Sequence, residues 1–298
     1  MKRVLVTGAN GLIGRHVLPI LLADGWGVHA TALPATPCYN DGVSWHGVDL
    51  LDAATAKRIC NDIRPTHLLH LAWYTEHGLY WHARINLDWV TASVRLAEEF
   101  CKAGGNRMVM AGTCAEYDWS YGYCREETTP LNPATMYGIA KDAARRLIMA
   151  VADQHKVSCA WGRIFLPFGA GEAPERLIPS LIEVFKGTRP AFGVNGAAYR
   201  DFLHVTDVAK AFVTLLTNAG HGAYNICSGQ PIQIGAVVKT VASIMKADPQ
   251  PLLDLVKERH GEPLLLAGDN TRIRQLGWQQ EHTLEQGLRL TLAGMHAA

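Results

Sequence analysis

The first fourteen residues constrain this chain most. Val4-Leu5-Val6 is a continuous apolar run, as expected of a strand buried on both faces. It leads into Thr7-Gly8-Ala9-Asn10-Gly11-Leu12-Ile13-Gly14, with glycine at every third position, and then into a helical pattern from Leu12 to Leu22 that stops near Gly25. The glycines allow a tight turn and close approach of backbone to ligand. The helix start offers free N–H groups and a partial positive charge to a pyrophosphate. Strand, glycine turn and helix in that order make this a dinucleotide-binding turn, with Gly8, Asn10, Gly11, Leu12, Ile13, Gly14 and Arg15 as its cofactor residues.

Alternation continues downstream. Val28 to Thr31, Ser44 to Val48, Leu68 to Leu71, Met108 to Met110 and Val157 to Trp161 read as strands, and Ala53 to Ile63, Asn86 to Ala103 and Ala134 to Gln154 as helices. This predicts an α/β chain with a Rossmann-type doubly wound parallel sheet. After Gly162 the texture changes. Pro167, Gly169, Gly171 and Pro174 crowd a loop, followed by a helical Leu177 to Phe185 and an Asn195-Gly196 turn. The expected organisation is an NAD(P)-binding Rossmann domain over 1–162 and a smaller mixed α/β substrate-binding region over 163–298, with some of its segments returning to the sheet. A chain of 298 residues is long enough for both.

Composition narrows the partners. The formal net charge is +1, so nothing draws the chain to nucleic acid or to an anionic membrane. No apolar run is long enough for a signal peptide or a membrane span. Cys38, Cys60, Cys101, Cys114, Cys124, Cys159 and Cys227 form no Cys-x-x-Cys pair, which predicts reduced thiols in a cytoplasmic protein. His77 and His82 lack metal-ligand spacing, and no metal is expected.

The ribose end of the turn reads His29-Ala30-Thr31-Ala32-Leu33, with no carboxylate to accept a 2′-hydroxyl or repel a 2′-phosphate. Arg15 is placed to meet such a phosphate, so the cofactor is NAD(P) with a lean toward NADP. Asp49, after the third strand, is placed to meet the adenine.

The catalytic pattern is Tyr137-Gly-Ile-Ala-Lys141, two side chains on one helix face. A lysine cation about 6 Å from a phenol, at an effective dielectric near 20, favours the phenolate by about 3 kcal/mol, or roughly two pK units. Thr113, at the end of a strand, has a hydroxyl able to hold the reacting oxygen.

With these motifs the chain resembles the extended short-chain dehydrogenase/reductases of the NAD-dependent epimerase/dehydratase family, which act on nucleotide sugars. Further landmarks are Asp49-Leu50, His70-Leu71-Ala72, Asn86, Tyr199-Arg200-Asp201-Phe202-Leu203-His204-Val205, Asp207-Val208-Ala209 and Tyr224-Asn225-Ile226. The resemblance implies that Tyr137 is the acid or base, that Lys141 binds the nicotinamide ribose and that Thr113 holds the substrate oxygen. It adds Leu50, Leu71 and Ala72 to the cofactor set and gives Arg200 the substrate pyrophosphate. Asn225 and Asp207 read as structural. It also implies a homodimer through a four-helix bundle of the 86–103 and 134–154 helices, with Leu87, Val90, Val94, Leu96, Ala144, Leu147 and Val151 as apolar positions.

The residues after Thr113 narrow the reaction. The family's 4,6-dehydratases carry Asp-Glu there and its 3,5-epimerising members a cysteine second; here stand Cys114-Ala115. What remains is reduction of a 4-keto-6-deoxy sugar nucleotide or, alternatively, 4-epimerisation with tightly held NAD. A non-catalytic NAD(P)-binding regulator is a third reading. The aromatic stretch Trp73-Tyr74-Thr75-Glu76-His77-Gly78-Leu79-Tyr80-Trp81-His82 is assigned to the sugar side, with Trp73, Tyr74, Cys114 and Arg200 as substrate contacts.

Overall fold

Val4 and Val6 turn to one face of the sheet and Leu5 to the other, all fully buried, so the opening apolar run serves two cores. The computed structural model describes residues 2–36, 42–257 and 261–297; Cys38 lies outside them. The elements are β1 (Arg3–Thr7), α1 (Gly14–Ala23), β2 (Gly27–Ala32), β3 (Val43–Gly47), α2 (Thr55–Ile63), β4 (His67–His70), α3 (Ile85–Lys102) and β5 (Arg107–Thr113). Then follow β6 (Tyr123–Cys124), α4 (Met136–His155), β7 (Ser158–Ile164), β8 (Leu166–Phe168), α5 (Leu177–Phe185), β9 (Tyr199–Arg200), β10 (Phe202–His204) and α6 (Val205–Thr217). The chain closes with β11 (Gly222–Ile226), β12 (Ile232–Gln233), α7 (Ile234–Met245), α8 (Gln250–Leu253), β13 (Leu265–Gly268), α9 (Thr271–Arg274) and α10 (Leu284–Ala297).

Seven strands form one parallel sheet in the order β11-β7-β5-β4-β1-β2-β3. Helices α1 and α6 cover one face, and α2, α3 and α4 the other. The winding reverses beside β1, and the crevice between the carboxyl ends of β1 and β4 is where such sheets bind ligands. A third core joins α5, α7 and α10 over Phe168 and Phe202. The small β12-β9-β13-β6 sheet includes β6, a strand from the first half of the chain.

Several expected boundaries move for local reasons. The strand expected at 108–110 runs on to Thr113, fully buried along its length, which puts Thr113 at its carboxyl end. Helix α4 starts at Met136, not Ala134, because the Thr135 side chain caps it by accepting from Gly138 N at 3.1 Å. Leu96 and Ala144, expected on the dimer face, instead face the chain's own sheet with at most 1% exposure. Helical periodicity finds the apolar stripe but not the neighbour that covers it.

Two glycines of the turn are demanded by backbone packing. Gly8 has φ +66°, and a Cβ there would fall 2.7 Å from Ala72 N. A Cβ on Gly14 would lie 2.3 Å from Gly8 O and 2.6 Å from Ala9 Cα. Neither neighbour is a movable side chain. Gly14→Ala should therefore destabilise the fold by about 1–3 kcal/mol, the usual cost of overpacking. A lower urea midpoint with an unchanged slope is the expected outcome; an unchanged midpoint would contradict it.

Candidate active site

One cavity of about 1220 Å³ runs along the carboxyl ends of the central strands. That exceeds the usual space for one drug-sized ligand. At one end it is lined by Gly8, by residues from Asn10 to Gly14, and by Thr31 to Leu33. Val48, Asp49, Leu50, Leu71 and Ala72 extend that lining. No side chain caps α1 and its first turn carries no acid; Arg15 N and His16 N bond back to Gly11 O and Ile13 O, and the N–H groups of Leu12, Ile13 and Gly14, which make no such bond, are left to the cavity. A Cβ on Gly11 would meet only Gly8 O, at 3.1 Å, so Gly11 presents bare backbone to a ligand. This cradle fits a dinucleotide pyrophosphate. Asp49 Oδ1 accepts from Leu51 N at 2.9 Å.

Arg15 lies elsewhere than expected. Its guanidinium folds back to donate to Asn10 O at 3.1 Å and Gly11 O at 3.3 Å, packs against Gly171, and does not line the cavity.

Deeper in, the structure brings Thr113, Tyr137 and Lys141 together. The Thr113 hydroxyl, which accepts from Ala115 N at 3.2 Å, lies close enough to the Tyr137 oxygen to favour its anion, and all three residues are buried. Lys141 Nζ donates to Ala111 O at 3.0 Å and sits 3.8 Å over the Trp73 ring. It is 5.9 Å from the Tyr137 ring centroid. The electrostatic outcome reverses the expectation from spacing. Burial pushes the Tyr137 phenol well above its ordinary value, aided by Tyr80 and opposed by the Thr113 hydroxyl. Burial also pulls the Lys141 ammonium down to about 7, opposed by Glu116. Desolvation of the charged forms outweighs the attraction between them. Tyr137 thus stands as a phenol with a proton to give.

Around Tyr137 is an aromatic wall. Tyr80 meets it edge-on at 4.9 Å and Trp81 at 5.8 Å, while Trp119 stands 6.1 Å from Trp81. Two indole N–H groups are already engaged, Trp73 with Asn86 Oδ1 at 2.8 Å and Trp119 with Cys114 O at 2.9 Å. These rings therefore offer faces rather than donors. Tyr74 turns away from the cavity lining, its hydroxyl donating to Glu76 at 2.8 Å. Cys114 lines the cavity, its thiol pushed far up by burial.

The far end is supplied by the second half of the chain. Arg200 lines it, buried, donating to Tyr199 O and Pro263 O at 2.8 Å and facing Glu262 at 3.5 Å. Its neighbour Asp201 is structural, accepting from Ser228, Gly229 and Gly268 N–H groups. Asp207 likewise accepts from Glu281 N and His282 N. Sequence reasoning missed Glu172, Arg176, Arg189 and Lys257, which also line the cavity, and Glu116 behind Thr113.

The sequence profile of the NAD-dependent epimerase/dehydratase family matches residues 4–227. The chain belongs to that family. Among curated relatives of this epimerase/dehydratase chain is the dTDP-D-glucose 4,6-dehydratase of Mus musculus, 24% identical over 98% of this chain and 88% of that protein. The GDP-6-deoxy-D-mannose reductase of Pseudomonas aeruginosa (strain PAO1) is 25% identical over 98% of this chain and 96% of its own length. Among solved structures, MoeE5 in complex with UDP-glucuronic acid and NAD superposes with a TM-score of 0.85 at 26% identity, covering 99% of both chains. Family membership carries the fold; the activities of these relatives differ.

Replacing Tyr137 with Phe keeps the ring and its edge-on contacts and removes only the proton donor. Tyr137→Phe should melt like the wild type and lose turnover by about 10²–10⁴-fold. Steady-state rates beside a thermal melt check this, and activity within a few-fold of wild type would contradict the assignment.

Proposed function

We propose that this chain reduces a 4-keto-6-deoxy sugar nucleotide with NAD(P)H. The observation that carries this reading is the protonated, buried Tyr137 beside Thr113, with no carboxylate at the two positions that follow Thr113. Positions 114 and 115 are Cys and Ala, and the carboxylate of Glu116 has both oxygens engaged by Thr113, Trp161 and Arg163. Eliminating water needs a base that can take a proton from carbon, and Cys114 and Ala115 supply no carboxylate for it. Delivering a proton to a ketone oxygen needs only the phenol. When bound, the reduced nicotinamide supplies the hydride. Thr113 holds the ketone oxygen, Tyr137 protonates it, and Lys141 orients the nicotinamide ribose. The ring faces of Trp81, Tyr80 and Trp119 suit the apolar face of a sugar. Arg200, at the far end of the same cavity, binds the substrate diphosphate.

NADP is favoured because Ala32, at the ribose end, repels no 2′-phosphate; Arg15, tied to Asn10 and Gly11, adds nothing to that preference. Simultaneous presence of Thr113, Tyr137 and Lys141 in one pocket supports an enzyme over a cofactor-binding regulator. A homodimer through α3 and α4 is supported by Leu87 and Leu147, exposed at 46% and 50%. A cytoplasmic setting is supported by the described cysteines, which are all unpaired and buried. Among the described residues no helix is long and apolar enough to cross a membrane.

The second reading, 4-epimerisation, differs in what becomes of the cofactor. A reductase must release it every cycle, whereas an epimerase reuses one molecule. The purified protein should exchange cofactor readily and oxidise NADPH stoichiometrically with a 4-keto-6-deoxy sugar nucleotide drawn from a UDP, dTDP, GDP and CDP panel. Ala32→Asp should shift the preference toward NADH. Tightly retained NAD, with interconversion of 4-epimers and no net cofactor change, would establish the epimerase instead.

A further inference from the structure

Glu116 is fully buried directly behind Thr113. Its Oε1 accepts from Thr113 N at 2.9 Å and from Trp161 Nε1 at 2.8 Å. Its Oε2 accepts from Arg163 Nε at 2.7 Å, with Arg145 Nε at 3.9 Å. Arg163 also donates to the Tyr117 hydroxyl at 2.9 Å, which in turn donates to Asn225 Oδ1 at 2.8 Å. The backbone makes room for this arrangement: a Cβ on Gly112 would fall 2.0 Å from Trp161 Nε1 and 2.7 Å from Glu116 Oε1. Buried ion pairs are a weak source of stability, since well-packed apolar residues often do as well. A carboxylate joined to the backbone of one reacting residue and facing Arg145, which stands one helical turn from Lys141 on α4, has a different use.

We propose that Glu116 is a positioning residue of the reaction centre, whose carboxylate fixes the Thr113 backbone and provides the counter-charge for the Lys141 ammonium. This rests on the reading of Thr113, Tyr137 and Lys141 as the reacting set. Lys141 and Arg145 stand one turn apart on α4, and Lys141 bonds Ala111 O, two residues before Thr113 on β5. With burial drawing Lys141 down to about 7, the opposing charge of Glu116 sets how much of it is cationic at neutral pH.

The other titratable or charged groups facing the pair are Tyr137, Asp142 and Arg145 on α4, His70 on β4, Cys114 and Tyr117 after β5, and Arg163 on β7. Burial takes His70 down to about 3 and pushes Tyr137, Tyr117 and Cys114 far up, so none of these four changes charge near neutrality. Lys141 is raised by Glu116, so removing that charge lowers it and shrinks the cationic fraction at pH 7.

The test reads Lys141 in the ligand-free protein, so it stands whether or not the substrate assignment holds. Lys141 lines the cavity, and its acylation by acetic anhydride can be followed against pH by mass spectrometry. In Glu116→Gln its titration should move down by about one pH unit or more. If that variant unfolds because Arg163 loses its partner, Glu116→Gln is made in an Arg163→Gln background, and the double variant should titrate below Arg163→Gln alone, because only the Glu116 charge differs between the two. Glu116→Asp, which keeps the charge, should return the titration toward wild type. A Lys141 titration that Glu116→Gln leaves in place, in the wild-type or in the Arg163→Gln background, overturns the proposal.

Discussion

The structure depends on backbone meeting backbone where β1 ends. Gly8 abuts the chain leaving β4, and Gly14 abuts Gly8 and Ala9. This close approach lets α1 begin immediately above the crevice, with its uncapped N-terminus aimed along the carboxyl ends of the strands. Any side chain at Gly8 or Gly14 would push helix and sheet apart and remove the anion cradle along with the packing. Fold and proposed cofactor site therefore share one steric requirement, which is why a short glycine turn says so much about a chain of this length.

Desolvation governs the chemistry built on that frame. Tyr137 and Lys141 sit in a wall of rings, where each loses hydration of its charged form. The phenol keeps its proton and the ammonium is made easier to discharge. A cation on a neighbouring helical turn works against that background and does not overcome it. Proton donation, rather than abstraction, is the direction such a centre favours in the absence of bound ligand.

The parts legible in the sequence are those set by local backbone geometry. The glycine turn, the paired Tyr137 and Lys141 four residues apart, and Thr113 at a strand end each follow from spacing within a few residues, and the structure brings them into one cavity. What was not legible depends on distant partners. Glu116 acts through Trp161 and Arg163, which lie 45 and 47 residues further on. Leu96 and Ala144 belong to an apolar stripe whose covering surface only the fold reveals. Arg15 looked available from the chain, but the carbonyls of the turn it follows engage it. The sign of the Tyr137 shift required knowing its burial, which spacing does not contain.

The pairing of β6 with β13 bears on how such a chain can diversify. Tyr123 and Cys124 leave the first half of the chain to join Ala267 and Gly268, and β11 from the second half returns to the edge of the large sheet. The two halves are thus laced through each other, with the cavity between. A crossover near residue 162 would sever both exchanges. New substrate preferences in this architecture are accordingly more accessible by point substitution along the cavity wall than by recombining whole halves.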